Sequence, residues 1–438
     1  MTKHQNGAPD AKKAARSLDL APVAGNGILN RRLFLEGALA ASAAAGAVVA
    51  ATDAVAAPLE VPAWSKTPGL PFSAYGLPSP FEKDVVRNWA NPANAATFGI
   101  GTARTPNQFL QGIITPSGLH YDRSHAGTPN IDPDKHRLVI HGLVKQPLEF
   151  TVEALSRYPM VSRVHFLECG GNSGGLAGAA AAPGTIQTIH GLMSCSEWTG
   201  VPLSTLLAEA GVLPEAKWIL AEGADSASMS RSIPLSKAMD DCLVCLYQNG
   251  ERVRPSNGYP VRLLAPGWSG NLNVKWLRRI KLTAGPTMTK DETSKYTVLL
   301  PDGKAWQFVF PLEVKSVITQ PSPGLNLKGP GFYEISGLAW SGNGKITKVE
   351  VSADGGKSWA PAALQEPIHS KAFTRFRAPW NWDGGEVILQ SRSTDDTGMV
   401  QPSRAQLVAE RGTRGQYHWN GITSWKIDAK GEATNVFV

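Results

Sequence analysis

A lone cysteine at the start of a glycine-rich turn is the feature that most constrains this chain. Residues 164–178 read VHFLECGGNSGGLAG, and the apolar start of this stretch predicts a strand that delivers Cys169 to the turn. Four of the next six residues are glycines, which permit sharp bends and a close approach of the backbone to another group. Taken alone, the stretch favours a buried structural cysteine before a loop, because free cysteine is among the most buried residue types.

Composition and charge exclude several classes of protein. The 438 residues are enough for two or three domains with full cores, and the 42% hydrophobic and 18% charged fractions are ordinary for a globular protein. The formal net charge of +7 is spread along the chain without a basic block, so we predict no nucleic-acid partner. A mildly basic surface still suits an acidic protein partner.

The first 56 residues have the pattern of an export signal. Residues 30–35 contain a twin-arginine pair, residues 37–51 form a weakly hydrophobic Ala/Gly-rich run, and small residues at 54–56 offer a cleavage site before Ala57. The run is too short and too poor in Leu and Ile to span a membrane comfortably. We therefore predict twin-arginine export to the periplasm, a mature chain from about Ala57, and no membrane span in it.

The remaining cysteines and the histidines predict structure rather than a metal site. Cys242 and Cys245 lie three apart in a strand-like segment and so point to opposite faces, where a disulfide or shared metal is awkward. No second CxxC or histidine cluster completes a zinc site. Four histidines between residues 120 and 141 have spacings that fit neither a helix face nor a strand face.

The fold class expected from the patterns is α+β, mostly β. Residues 57–115 are rich in Pro, Gly and Asn and predict an extended arm. Residues 116–285 mix short strands and helices without the alternation of a doubly wound sheet. Residues 286–412 hold short strands at close spacing, which is typical of an immunoglobulin-like sandwich, and residues 413–438 form an aromatic tail that packs on the body or on a partner.

Individual elements are predicted by the same patterns. They include a strand at 137–142, a helix at 152–158 with Thr151 as its N-cap, a helix at 204–210, a hairpin turn at Asn249-Gly250, and strands at 273–280, 308–310 and 333–340.

Read in order, five motifs between residues 116 and 405 resemble those of the sulfite oxidase family of molybdenum enzymes. They are Cys169-Gly170-Gly171-Asn172; Arg123-Ser124-His125 with Pro129 and Asp132; Glu222-Gly223-Ala224-Asp225; Gly258, Pro260, Val261 and Arg262 with Pro266, Gly267 and residues 274–277; and Ser352, Asp354, Gly355, Gly356 and Trp359. The resemblance implies a sulfite-oxidase-type mixed α/β molybdopterin domain followed by an immunoglobulin-like dimerisation domain.

The resemblance also implies a cofactor and a site. One molybdenum–molybdopterin per chain is expected, with Cys169 as its single protein ligand, because a pterin dithiolene supplies two further sulfurs and a soft metal suits a thiolate. Tyr296 and Arg123 are the implied catalytic residues. The implied cofactor-binding residues are Tyr121, Arg123, Ser124, His125, Asp225, Asn257, Arg262, Asn273, Val274 and Lys275.

Three departures from the family pattern bear on function. Asn257 stands where the family has a histidine, and Gly174 stands where sulfite oxidases have an arginine that helps hold sulfite. The second-domain active-site arginine has no clean match, and Arg375 is only a candidate. The sequence contains no haem-binding CxxCH, so we expect no haem in this chain and electron transfer to a separate carrier.

Within the family, the twin-arginine signal, the CysGlyGlyAsn variant and the HisTrpAsnGlyIle tail look most like the molybdenum subunits of bacterial sulfane dehydrogenases. This implies oxidation of sulfane sulfur on a sulfur-carrier protein during thiosulfate oxidation, a c-type cytochrome subunit as partner, and a homodimer within a heterotetramer. The alternative is a periplasmic sulfite:cytochrome c oxidoreductase, or sulfite dehydrogenase. A non-enzymatic carrier or chaperone-like domain that lost its cofactor is disfavoured, because Cys169 and Tyr296 are both kept.

Overall fold

The computed structural model describes residues 22–29, 61–69, 71–90, 99–414 and 417–438. Within these residues β-strands dominate and the helices are short, so the expected mostly-β class is confirmed. The predicted twin-arginine pair, the hydrophobic run and the cleavage site all lie outside the described residues.

The strands and helices have the following bounds. The strands are β1 Pro22–Ala24, β2 Ile28–Leu29, β3 Asn88–Ala90, β4 Gly101–Arg104, β5 Asp122–Ser124, β6 Arg137–Gly142, β7 Leu148–Thr151, β8 Val161–Glu168, β9 Met193–Pro202, β10 Trp218–Gly223, β11 Ser230–Pro234, β12 Leu243–Gln248, β13 Glu251–Arg252, β14 Arg262–Leu264, β15 Leu277–Thr283, β16 Val298–Leu299, β17 Ala305–Trp306, β18 Lys315–Gln320, β19 Gly331–Trp340, β20 Ile346–Ser352, β21 Ala360–Pro361, β22 Ala363–Leu364, β23 Thr374–Trp382, β24 Val387–Asp395, β25 Ser424–Ile427 and β26 Ala433–Val436. The α-helices are α1 Val152–Ser156, α2 Ile186–His190, α3 Leu203–Ala210, α4 Leu235–Asp240, α5 Lys290–Thr293 and α6 Arg404–Arg411.

The first domain is built on three sheets. Their strand orders are β11-β10-β15-β6-β7, β13-β12-β9-β8 with β14 beside β12, and β3-β4-β5. Strands β15 and β6 are parallel, whereas the other pairs in these sheets are antiparallel. Helix α3 buries Leu203, Leu206 and Leu207 in the core that the two larger sheets share. The predicted mixed architecture is therefore present.

The second domain is a sandwich of two sheets. One has the order β1-β2-β23-β19-β18 with β22 beside β23, and the other has the order β21-β20-β24-β25-β26. Buried aromatic rings from both sheets, including Trp340, Trp380 and Trp425, belong to one core cluster. Phe166, Met193 and Cys195 of the first domain join that same cluster, so the strand that leads to Cys169 packs directly on the second domain.

Most predicted elements are confirmed, and the local signals explain why. Strand β6 has the predicted bounds, and Thr151 Oγ1 caps helix α1 by accepting a 2.9 Å hydrogen bond from the Ala154 N–H. Asn249 and Gly250 both have positive φ and join β12 to β13 as a two-residue hairpin. All four cysteines are free, in line with the structural reading of Cys242 and Cys245.

Two local predictions are wrong. Residues 308–310 form no strand, and Phe308 has a φ of 59° that a ladder does not tolerate. Residues 273–276 are irregular, because β15 begins only at Leu277. In both cases tertiary packing overrides a short apolar pattern.

The C-terminal segment packs on the body, where it supplies β25 and β26 to the sandwich.

Two further observations concern membrane-spanning helices and clusters of metal ligands. No helix among the described residues is long and apolar enough to cross a membrane. The described part of the chain also contains no group of three or more His, Cys, Asp or Glu side chains that could hold a metal ion.

Candidate active site

Cys169 lies at the end of β8, where the strand gives way to the glycine-rich turn. Its N–H donates to the Leu192 carbonyl at 2.9 Å, and its own carbonyl accepts from the Asn172 N–H at 2.8 Å. The turn then reverses through Ser173, which has a φ of 64°. Burial raises the pKa of the Cys169 thiol, although a hydrogen bond from the Gly171 backbone opposes the shift.

A buried ionic network holds this turn from the side of the second domain. Glu168 accepts hydrogen bonds from Lys315 Nζ at 2.7 Å, Trp340 Nε1 at 2.8 Å and Asn172 Nδ2 at 2.8 Å. Lys315 Nζ also donates to Ser173 Oγ at 2.9 Å. Sequence reasoning missed Glu168 and Lys315, because neither lies in a recognisable motif and their pairing joins positions 147 residues apart.

A cavity opens beside Cys169. All the predicted cofactor-binding and catalytic residues line it together with Cys169: Tyr121, Arg123, Ser124, His125, Asp225, Asn257, Arg262, Asn273, Val274, Lys275 and Tyr296. Sequence reasoning did not assign to the site the further lining residues His120, Asp122, Leu167, Met229, Gly270, Asn271 and Trp276. The structure thus brings side chains from distant positions, between residues 121 and 296, into one site. The individual role of each residue stays a prediction.

The cationic side chains of the cavity are held in different ways. Lys275 Nζ lies 2.6 Å from Asp122 Oδ1 and donates to the Ser256 carbonyl at 2.9 Å. Arg262 donates to the carbonyls of Asn257 and Asn273 at 2.7 and 3.1 Å. Burial lowers the pKa of both groups, opposed for Lys275 by Asp122. The cavity therefore presents fixed positive charge with little freedom to move.

Several buried polar atoms of the cavity have no hydrogen-bond partner among the described residues, and such atoms fit a polar heterocyclic cofactor. His120 Nε2, Asn257 Oδ1 and Arg262 Nε are buried, and none has a hydrogen-bond partner among the described residues. Unpaired buried polar atoms are costly, so their presence in one cavity indicates that a ligand satisfies them. A single thiol, several fixed cations and unpaired hydrogen-bonding groups match the donor set that a molybdenum–pterin phosphate needs.

Tyr296 lies between the cavity and an outer vestibule that Arg123, His125 and Cys169 also line. Its hydroxyl is 3.3 Å from His125 Nε2. Burial, together with the charge of Arg123, lowers the pKa of His125 to about 4, and burial raises the pKa of Tyr296. At neutral pH both side chains are therefore uncharged, and the tautomer of His125 decides which of the two atoms donates the hydrogen bond.

The vestibule contains residues that the sequence motifs did not reveal. Tyr417, from the C-terminal segment, packs against Tyr296 with the rings tilted by 45° and their centroids 5.0 Å apart, and the neighbouring His418 N–H donates to the Gly170 carbonyl at 2.7 Å. Lys290 and Lys295 add positive charge to the vestibule wall. Tyr417 could be found only by its contact, because it lies more than 100 residues from the other site residues.

Two sequence expectations about the substrate region differ from the structure. Arg375 lies in the second domain, 1% exposed, and its guanidinium donates to the carbonyls of Leu110 and Gly112 at 3.0 Å, so it is a structural clamp rather than a cavity residue. Gly174 is not among the residues that line either cavity. The open space beside Cys169 is instead at Gly171, where an added Cβ would meet nothing within 4 Å.

Comparison with known families agrees with this geometry. Residues 125–290 match the model of the oxidoreductase molybdopterin binding domain, and residues 306–424 match that of the Mo-co oxidoreductase dimerisation domain. The fold and the site therefore define a molybdopterin-dependent oxidoreductase.

Comparison with individual proteins identifies the family of oxidoreductases to which the chain belongs. The crystal structure of the sulfane dehydrogenase SoxCD from Paracoccus pantotrophus contains a chain that is 45% identical, superposes with a TM-score of 0.84, and aligns over 86% of this chain and 98% of its own length. Mitochondrial sulfite oxidase from Mus musculus is 29% identical over 347 residues, which are 74% of this chain and 63% of that protein. An NADH nitrate reductase from Solanum lycopersicum is 31% identical over 67% of this chain and 36% of that enzyme. The chain belongs to the sulfite oxidase family of molybdopterin oxidoreductases.

Proposed function

We propose that this chain is the molybdenum subunit of a periplasmic sulfur dehydrogenase. In this proposal it oxidises sulfane sulfur carried on a cysteine of a sulfur-carrier protein during thiosulfate oxidation, and passes electrons to a c-type cytochrome subunit. The observation that carries the proposal is the convergence of a lone thiol, fixed cations and Tyr296 on one cavity in a chain 45% identical to a sulfane dehydrogenase component. Its relatives of known name also include sulfite oxidases.

The residues of this chain would divide the work between the two cavities. In the inner cavity Cys169 would hold molybdenum, while Arg262, Lys275, Asn257 and His120 would meet the polar edges of the pterin and its phosphate. The bound molybdenum centre would supply the capacity to accept electron pairs. Hydrogen bonds from a fixed cavity wall need no reorganisation during the reaction, which is the main catalytic contribution that such a site can make.

In the vestibule, the substrate sulfur would be positioned by Arg123 and Tyr296. Each oxygen atom added to the terminal sulfur comes from water and releases two protons and two electrons, so the site must stabilise growing negative charge on the new oxygens. Arg123 provides a guanidinium for that purpose, and the Tyr296 hydroxyl with neutral His125 behind it provides a path for a proton. Space at Gly171 would admit the segment of the carrier protein that bears the sulfur.

One observation favours sulfite as a second candidate substrate. Lys290, Lys295 and Arg123 make the vestibule basic, and a small doubly charged anion needs fixed cations to replace its water shell. Gly174 replaces an arginine of sulfite oxidases, which predicts a vestibule with less positive charge. These three side chains nevertheless supply positive charge to the vestibule. Sulfite:cytochrome c oxidoreductase therefore remains the alternative function.

A direct assay separates the two functions. The purified protein with its cytochrome subunit would be given sulfite or a carrier protein bearing sulfane sulfur on its cysteine, and cytochrome reduction would be followed. The proposal expects a higher kcat/KM on the carrier. Efficient oxidation of sulfite with no reaction on the carrier would establish the alternative, and no oxidation of either by molybdenum-loaded protein would overturn both.

The exposed apolar side chains of residues 61–90, here called the arm, are evidence for a protein partner that binds next to this site. Trp64, Phe72, Leu77, Phe81 and Trp89 are each at least 75% exposed, whereas no large apolar side chain outside residues 61–90 exceeds 58% among the described residues. Such a concentration of exposed apolar surface marks an interaction site. It gives the cytochrome subunit a surface to bind.

The arm is connected to the cofactor cavity by backbone pairing. Strand β3 at its end pairs with β4, and β4 pairs with β5, which carries Asp122, Arg123 and Ser124 of the cavity wall. Arg87 also donates to the His120 carbonyl at 3.1 Å. A cytochrome bound on the arm would therefore lie beside the cofactor, while the matched dimerisation domain leaves the sandwich for a second copy of this chain.

Export by the twin-arginine route completes the proposal. It fits a cofactor that is loaded before the folded protein leaves the cytoplasm. Replacement of Arg31 and Arg32 by Lys is expected to retain precursor in the cytoplasm, as measured by fractionation and immunoblotting. Normal export of that double variant would contradict the route and leave the catalytic assay unaffected.

A further inference from the structure

Residues 22–29, which precede the arginine pair, are seated on the edge of the second domain. Strands β1 and β2 form a small hairpin, and Ile28 of β2 pairs with Trp380 of β23. The side chain of Ile28 is fully buried and belongs to the core cluster of the sandwich. This N-terminal segment thus contributes a side chain to a core whose other members lie between Phe166 and Ala433.

The turn between the two strands is held by directed hydrogen bonds. The Gly25 N–H donates to Ser358 Oγ at 2.7 Å, and Asn26 Nδ2 donates to the Ala353 carbonyl at 2.8 Å. In return, Trp380 Nε1 donates to the Asn26 carbonyl at 2.7 Å. Donors and acceptors from both partners take part, so the contact is specific as well as apolar.

The shape of the seat requires the sequence Gly-Asn-Gly. Asn26 and Gly27 have φ values of 55° and 87°, a region that asparagine tolerates and glycine favours. A Cβ at Gly27 would lie 2.0 Å from the Asn381 carbonyl oxygen, and one at Gly25 would lie 2.3 Å from Asp354 Oδ2. Side chains at these two positions would therefore push the turn out of its seat.

We propose that the sandwich edge formed by residues 353–358 and strand β23 is a binding site for residues 22–29. We call this segment the leader anchor. Because the strand pairing and the hydrogen bonds to this segment come from residues 353–380, only a folded second domain offers the site. Only Asn30 separates Leu29 from the arginine pair, so the leader anchor ties the export signal to the second domain, and cleavage near Ala57 would empty the site. This consequence rests on the proposed export, whereas the binding itself does not.

Hydrogen exchange on the full-length chain tests the binding. Amides of the leader anchor should exchange slowly in the wild type, and Ile28→Asp should speed their exchange by about a hundredfold or more, because a carboxylate cannot enter the apolar core without large cost. Val23→Asp is the matched control, since Val23 is 45% exposed and its substitution should leave exchange unchanged. Equally fast exchange in the wild type and in Ile28→Asp would overturn the proposal.

A peptide experiment tests recognition without the covalent connection. Full-length Ile28→Asp has an empty site, so a synthetic peptide of residues 20–31 should bind it, measured by calorimetry. The same peptide with Gly27→Ala should bind at least about tenfold more weakly, given the clash with the Asn381 carbonyl. Failure of the wild-type peptide to bind a folded Ile28→Asp chain would also overturn the proposal. Neither experiment depends on sulfur oxidation or on the export route, so their failure is distinct from failure of the proposed function.

Discussion

Lys315 Nζ of the second domain lies 2.7 Å from Glu168 Oε1, and the two side chains are 1% and 4% exposed. Glu168 directly precedes Cys169, so the second domain fixes the position of the strand end that carries the thiol. Burial lowers the pKa of Lys315, and the charge and hydrogen bond of Glu168 oppose that shift. The ion pair is thus a physical connection between the sandwich and the turn that begins at Cys169.

Replacing Lys315 with Met should destabilise the protein by about 3–5 kcal/mol, because it leaves Glu168 buried without its cation. Guanidinium unfolding of the full chain measures the change. The double variant Lys315→Met with Glu168→Gln should recover part of the loss, since no charge then remains. Arg157→Met is the surface control, because that ion pair is 70% exposed and should contribute less than about 1 kcal/mol. A fully stable Lys315→Met chain would show that the pair does not hold the turn.

Cys169→Ser should give a folded protein with no oxidase activity and an altered metal absorption spectrum, because a hydroxyl is a poor ligand for a soft metal. Circular dichroism measures folding, and steady-state kinetics and absorption spectroscopy measure the other two properties. Cys195→Ser, Cys242→Ser and Cys245→Ser remove buried thiols outside the cavity and should leave activity and absorption unchanged. Full activity in Cys169→Ser would rule out the ligand assignment.

Tyr296→Phe should lower kcat by about 10²-fold or more while cofactor content stays unchanged, since it removes the hydroxyl beside His125 but keeps the ring. Steady-state kinetics with molybdenum-normalised enzyme measure the effect. Tyr417→Phe is the matched control, because it keeps the ring contact with Tyr296. A Tyr296→Phe enzyme with wild-type kcat would exclude a role for the hydroxyl in the chemical step.

The Glu313 carboxylate predicts a loss of stability in acid. Burial would raise its pKa, but hydrogen bonds from His418 at 3.0 Å and Arg411 at 2.6 Å outweigh burial and lower the pKa from 4.5 to about 2. A lowered folded-state pKa stabilises the protein above pH 4.5, and this stabilisation is lost as the pH falls towards 2.

The shift corresponds to about 3 kcal/mol at neutral pH. Glu313→Gln should therefore flatten the fall in unfolding free energy between pH 5 and pH 2, measured by urea unfolding at each pH. Glu153→Gln removes a 70% exposed carboxylate and should leave that slope unchanged. An unchanged slope in Glu313→Gln would contradict the assignment.

Replacing Phe72 and Phe81 together with Ser should weaken binding of the cytochrome subunit by about 30-fold or more, because exposed aromatic residues are the usual hot spots of interfaces. Titration of the cytochrome with the molybdenum subunit measures the affinity. Activity with a small artificial electron acceptor should be unchanged, since neither residue lines the cavity. Leu299→Ser, at 45% exposure outside the arm, serves as the control. Wild-type affinity in the double variant would place the partner elsewhere.

The cavity residues could be predicted from the sequence because the resemblance to the sulfite oxidase family lies in short local motifs. In turns such as residues 169–172 and 222–225, the functional side chains lie within a few residues of one another. The residues of each motif are therefore close together in the folded chain as well. The twelve predicted residues therefore lie around one space, although no distance between them could be calculated from the sequence. Likewise, strands β6 and β19 were visible because alternation and β-branched residues encode them locally.

Tertiary structure alone decided what joins these motifs. The pairing of Glu168 with Lys315, the arrival of Tyr417 beside Tyr296 and the seating of residues 22–29 on β23 each connect positions separated by more than 100 residues. Arg375 shows the same limit, since it lies far from the cavity in a clamp that no local pattern reveals. A sequence encodes which side chains prefer strands, turns or burial, but long-range partners depend on how whole sheets pack, and that packing exists only once the chain has folded.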